Sequence, residues 1–282
     1  MKIVTDGSID MPADWASQFD IEVIPLKVSF GERIYTQGVD VTTESFYGLV
    51  NRLRIIPRSS LPSPQHVIDF YRKIAKKGET VLSIHVASKL SGTYNVIQNA
   101  AKELADEMNI IPFDSEAGSA ALAFMCREAR RMERAGASIQ VILSRLEEIR
   151  RRVTIIFTVD SLDYAYLSGR INMFQSAISS LLKIKPLIIL RNGLLVMADK
   201  VRTRQRSLDR VVSTVAEKVG NRRINLAVVH AADPETANRL VEKARKLMNI
   251  KEVITTELSI PVAANLGPKT VGLVAYPVEE DW

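Results

Sequence analysis

The chain has 282 residues, 46% hydrophobic and 25% charged, with a formal net charge of +6. That length predicts two domains, each able to bury its own core, and the composition excludes a disordered or fibrous chain. No apolar run approaches the roughly eighteen residues of a membrane span. The start, Met1 to Asp6, lacks the apolar stretch of a signal peptide, and the single cysteine, Cys126, has no disulfide partner. The expectation is a cytoplasmic protein with Cys126 as a small core residue.

Strand-like and helical runs alternate, which predicts an α/β protein. Lys2–Asp6, Val23–Phe30, Thr80–Val86, Ile110–Phe113 and Thr154–Val159 read as strands. Ser63-Pro64 opens a helix that Gly78 closes, Ser91-Gly92-Thr93 leads into one running to about Met108, and Ser138 opens another after Gly136. Asn192-Gly193 supplies the positive φ angles of a type I′ turn, so Ile184–Arg202 reads as a β-hairpin. A helix over Arg204–Val219, a strand over Ile224–Val229, a helix start at Asp233-Pro234 and strands near 252–258 and 270–276 then suggest a mixed sheet. The domain boundary is expected after the arginine-rich helix, giving residues 1–152 and 153–282. Arg127, Arg130, Arg131 and Arg134 alternate with Glu128 and Glu133, and Arg145 and Arg150 to Arg152 accompany Glu147 and Glu148. That spacing reads as solvated helix faces rather than a nucleic-acid surface.

Asp6, Asp114 and Asp160 each end a strand, where a carboxylate either lines a cleft beyond the sheet or caps the next helix. The stretch Ser91-Gly92-Thr93 is sharper: amides at a helix start attract an anion, and two hydroxyls add donors, although a lone serine there commonly serves only as the cap. A second hydroxyl-rich loop holds Ser59, Ser60 and Ser63, with Ser63 as the cap of its helix. Asn265 to Thr270 reads as a turn that can close over a ligand. The phosphate-binding loops G-x-x-x-x-G-K-[ST] and G-x-G-x-x-G are absent, as is the G-x-S-x-G nucleophile elbow. The histidines His66, His85 and His230 have no metal-ligand spacing, so no metal is expected. A nucleophilic Ser91 would need a base, with His85 nearest in sequence.

In this order, Val4–Ser8, Ser59–Pro64, Leu90–Tyr94, Val159–Leu162, Leu167–Ile171, Ile184–Pro186 and Gly267-Pro268 resemble the DegV family of bacterial fatty-acid-binding proteins over essentially the whole chain. The resemblance implies an N-terminal α/β domain with a parallel sheet, a C-terminal α/β domain with a mixed sheet, and one fatty acid between them. It implies no enzymatic activity and no cofactor in this chain. The ligand would be an acid such as palmitate, stearate or oleate, its carboxylate held by Ser59, Ser91 and Asn265. Ser60, Gly92, Thr93, Asp160 and Arg170 would neighbour the head group. Asn265 stands where many members carry histidine, which removes a titratable charge and leaves an amide donor. The small side chains around Gly118, Ala121 and Leu122 suit an acyl tail. Some members present the bound acid to a separate fatty acid kinase, and the position matching Arg202 faces that partner. Exchange with membrane lipid needs no transmembrane segment. The alternatives are a Ser91-dependent acyl hydrolase and a basic nucleic-acid-binding protein.

Overall fold

A computed structural model of the chain describes residues 1–170 and 184–278; Ile171, which ends one of the motifs above, lies outside them. Strands β1 (Lys2–Asp6), β2 (Ile21–Ile24), β6 (Thr80–His85) and β7 (Asn109–Asp114) form a parallel sheet in the order β2-β1-β6-β7. Strands β3 (Lys27–Phe30), β4 (Arg33–Thr36) and β5 (Arg58–Ser60) form a small antiparallel sheet, with β3 in the middle. A six-stranded sheet runs β10-β9-β8-β13-β11-β12, built from β8 (Thr154–Thr158), β9 (Lys185–Arg191), β10 (Leu194–Val201), β11 (Ile224–His230), β12 (Ile250–Glu257) and β13 (Val271–Pro277). Only β11 and β12 pair in parallel, so this sheet is mixed.

Most elements sit where periodicity and turn chemistry place them. The hairpin β9–β10 turns at Asn192 (φ 51°) and Gly193 (φ 74°), the left-handed pair a type I′ turn needs. Val23–Phe30 is not one strand. Pro25 brings no N–H to a ladder, so β2 ends at Ile24 and β3 starts at Lys27 in the other sheet. Ser59 and Ser60 are likewise in a strand, β5, rather than a loop. The helix after Ser63, α3 (Pro64–Ile74), ends before Gly78, and α4 (Thr93–Glu103) ends before Met108.

Period-two alternation explains the layering. Ile3, Leu82 and Ile84 of the first sheet face the same core as Ile155, Phe157, Ala227 and Val274 of the last. Their neighbours Val4 and Val81 pack instead on α3 and α4 through Tyr71 and Ile97. Ile156, Leu226 and Val228 pack on α8 (Arg204–Val219) and α9 (Pro234–Leu247). Between the two large sheets lies α5 (Ala120–Arg134), buried nearly all round. The solvated-face reading therefore fails at Arg127 and Arg130, and also at Arg145 of α6 (Ile139–Arg152): all three are buried. A buried charge needs partners, and each has them. Arg127 pairs with Glu252 at 2.7 Å over the Trp15 ring, Arg130 with Glu133 and the carbonyls of Phe19, Met1 and Asp20, and Arg145 with Glu128 and Glu148.

One buried carboxylate links distant parts of the chain. Asp10 accepts the Ser259 amide at 2.7 Å, just before α10 (Ile260–Leu266), and the Ser119 hydroxyl at the start of α5. Burial lifts its carboxyl to about 6 from an ordinary 3.8, against the pull of those donors. The folded state thus holds the extra proton between these values. The stability this group supplies is full below the lower value and is lost as pH rises through the upper one. Asp10→Asn keeps an acceptor for Ser259 and removes the charge. Its stability relative to the parent should rise by about 3 kcal/mol from about pH 4 to about pH 8 in urea denaturation. A difference independent of pH would show that Asp10 does not titrate in this range.

Candidate functional site

The loops that leave the C-terminal ends of β1, β6 and β7 meet the inner face of the six-stranded sheet. A cavity of about 1000 Å³, its open mouth included, lies between them. This is the place where open α/β sheets hold ligands. Ser8 follows β1, Val86, Leu90 and Ser91 follow β6, and Gly118 and Ser119 follow β7. The sheet contributes Ile155, Phe157, Leu190, Leu195, Val229 and Val274. Ser59 and Ser60 of β5, Asn265 of α10, and Ser168 and Arg170 complete the polar wall.

Asp6 fixes two of these loops. Its carboxylate accepts the Ser8 amide at 2.9 Å, the Val86 amide at 3.0 Å and the His85 ring at 3.0 Å. Burial alone would raise its pKa, but His85 and the two amides outweigh burial and hold it below the usual carboxylate range. Asp114 accepts the Ser88 and Glu116 amides, and Asp160 pairs with Lys185 at 2.7 Å. None of the three strand-end aspartates caps a helix, because each is taken by a loop amide or a lysine first.

The hydroxyl pair is well defined. Ser91 Oγ accepts the Thr93 amide at 3.3 Å and sits 2.9 Å from the Thr93 hydroxyl. The fully buried Thr93 can donate to Ser91, which leaves the Ser91 proton free to point into the cavity. Elsewhere in the cavity lining, the Ser59 hydroxyl donates to Asn265 Oδ1 at 3.2 Å, and Asn265 Nδ2 donates to the Pro261 carbonyl at 2.8 Å. One Asn265 N–H remains. Asn265 and Leu266 thus belong to a helix rather than a turn, and the Thr270 hydroxyl pins the following residues by donating to the carbonyls of Leu266 and Gly267.

His85 is not available to Ser91. Its Nδ1 meets Asp6, its Nε2 meets Ser83 Oγ at 2.7 Å, and Ser83 meets the Tyr71 hydroxyl at 2.7 Å, all fully buried. With no histidine among the described lining residues, a nucleophilic Ser91 lacks its base. Arg170, half-buried, donates to the Ser168 carbonyl at 2.5 Å, and burial lowers its pKa. No carboxylate pairs with it among the described residues. A cation, several hydroxyls and a long apolar wall suit an amphiphile with an acidic head.

The remaining sequence candidates stand away from the wall. Thr93 is buried behind Ser91, Gly92 packs on Leu61, and Asp160 lies outside with Lys185. Ala121 and Leu122 are in the core behind Gly118, and Arg202 is exposed after β10. Sequence reasoning missed Ser8 and Ser119. Ser8 ends a quoted motif, but Ser119 depends on a left-handed backbone (φ 59°) that nothing in its side chain signals. Among the described residues no His, Cys, Asp and Glu cluster has a metal-binding arrangement, and no helix is long and apolar enough to cross a membrane.

A family model described as "Uncharacterised protein, DegV family" matches residues 1–278. A DegV domain-containing protein of Halalkalibacterium halodurans is 30% identical over 276 residues, which span 97% of each chain. The crystal structure of DegV from Bacillus subtilis, described as a fatty acid binding protein, superposes with a TM-score of 0.88 at 29% identity, covering 98% of this chain and 99% of that one. A stearic acid-binding protein of Eubacterium ventriosum superposes with a TM-score of 0.88 at 26% identity, covering 98% of both chains. The chain belongs to the DegV family.

Proposed function

We propose that this protein binds one long-chain fatty acid, such as palmitate, stearate or oleate, and presents its carboxylate to a separate fatty acid kinase in the cytoplasm. The observation that carries this reading is an apolar cavity whose lining also holds Ser59, Asn265 and Ser91. In this reading residues 1–152 carry the pocket and residues 153–282 close it. Ser91 and the remaining Asn265 N–H donate to the carboxylate, and Ser59 turns its proton from Asn265 to the ligand. Ser60, Thr93 and Arg170 support the head group, with Gly92 and Asp160 further out. The tail runs past Gly118, with Ala121 and Leu122 one turn behind.

Magnitudes divide the roles. Burying about a dozen methylenes at about 0.8 kcal/mol each gives roughly 10 kcal/mol before entropic costs, while a hydrogen bond to a charged group nets about 1.5–3 kcal/mol. The tail supplies affinity and the hydroxyls fix register. The chain itself performs no chemistry in this account, and the buried His85 supports that assignment.

Ser91→Ala should weaken fatty-acid binding by about 1–3 kcal/mol with folding nearly unchanged, as read by titration with oleate. Unchanged affinity in the Ser59→Ala/Ser91→Ala double variant would place the carboxylate elsewhere. Arg202 is exposed and away from the cavity wall. Arg202→Glu should therefore keep oleate affinity within about threefold, less than the ~1.4 kcal/mol of a tenfold change, yet strongly reduce acyl-phosphate formation with a fatty acid kinase. Equal loss of both would put Arg202 in the ligand site, and loss of neither would remove it from the kinase surface.

A further inference from the structure

Ile155 and Leu190, register partners on β8 and β9, also line a second cavity of about 1350 Å³, its open mouth included. The two cavities share this wall and differ in everything else. Arg150, Arg151 and Arg152 reach the second from the end of α6, Arg191 from the tip of the β9–β10 hairpin, and Lys218 and Arg222 from the end of α8. Glu116 is its only carboxylate among the described lining residues.

Part of this charge has a structural reason. Cations are favoured at helix C-termini, where the macrodipole places about half a negative charge. Arg222 donates to the Val219 carbonyl at 2.8 Å and the Lys218 carbonyl at 2.5 Å, closing the end of α8. Arg150 donates to the Asp114 carbonyl at 3.1 Å and lies 5.3 Å from the Phe113 ring centre. Arg151 pairs with Glu147 at 3.6 Å, and Arg152 pairs with Glu148. Arg191 and Lys218 have no ion pair or side-chain hydrogen bond among the described residues, and both are exposed. Among the described residues four cations, Arg150, Arg191, Lys218 and Arg222, are thus left without a carboxylate partner. Set against Glu116 and two helix ends, they leave a surplus of about two positive charges.

That surplus matches a dianion. A phosphoryl group carries about −1.5 to −2 at neutral pH, and a guanidinium fork meets its oxygens bidentately. The charges line a concave site rather than a stripe, which favours a small group over a nucleic-acid backbone. We propose that this cavity binds a phosphate-bearing anion, free or as a phospholipid head group, with Arg191 and Lys218 supplying much of the affinity. The proposal does not depend on what fills the apolar cavity.

Two probes on the full chain test it: calorimetric titration with inorganic pyrophosphate, and co-sedimentation with phosphatidylcholine vesicles with or without phosphatidic acid. Saturable binding of pyrophosphate marks a soluble phosphate site, and retention only on phosphatidic-acid vesicles marks a head-group site. Either should fall about tenfold or more in Arg191→Ala/Lys218→Ala and measurably in Arg191→Gln alone, with oleate binding and melting temperature unchanged. Binding of neither probe, or binding undiminished in both variants, overturns the proposal.

Discussion

The Asp6 carboxylate accepts hydrogen bonds from the Ser8 amide, the Val86 amide and the His85 ring in a site with no solvent exposure. Moving a charge into such a place is costly unless its partners are fixed, and removing one partner of a buried pair typically costs about 3–5 kcal/mol. The loops after β1 and β6 therefore move together or not at all. Those loops carry Ser8, Val86 and Ser91 to the cavity. Asp10 does the same further along, tying the start of α10 to the start of α5. The positions of Ser8, Ser91 and Ser119 on the cavity wall follow from these two carboxylates, which are far more rigid anchors than surface ion pairs.

The apolar part of the cavity has a different origin. Helix α5 packs on the inner face of the six-stranded sheet, where Phe124 meets the Tyr276 ring at 5.2 Å. Beside Gly118 and Ser119, Ile155, Phe157 and Leu190 of β8 and β9 form the apolar wall of the cavity. Apolar side chains around such a space gain from any chain that displaces water, at about 25 cal/mol per Å². In the proposed reading an acyl tail meets that requirement, and the hydroxyls of the cavity wall meet its carboxylate. Affinity and register thus come from different parts of the fold: packing between layers for the first, carboxylate-anchored loops for the second.

Much of the fold was legible in the sequence because its signals are local. Asn192-Gly193 writes its own turn, Ser63 and Ser138 accept the amides expected of helix caps, and Arg204–Val219 is helical over the span its pattern marks. The failures came where the outcome is decided by distant partners. The arginines of α5 read as solvated by spacing, yet Arg127 is buried because Glu252, more than a hundred residues away, pairs with it. The break at Pro25 assigned two halves of one apparent strand to different sheets. At the site, Ser59 and Asn265 are 206 residues apart, and only the assembled fold brings them within 3.2 Å. The residue pattern marked each of them separately, in a hydroxyl-rich loop and in a turn near the C-terminus, and only the family resemblance grouped them at one carboxylate. Ser119 escaped both, since its role rests on a backbone conformation.

The central claim is that the apolar cavity exists to hold an acyl chain with its carboxylate at the Ser59–Ser91 rim. Mass spectrometry of an organic extract of the purified protein tests it most directly. The account predicts fatty acid at about one molecule per chain, restored by added oleate after delipidation. An extract free of acyl chains, together with a delipidated protein that takes up no oleate or palmitate, would contradict it.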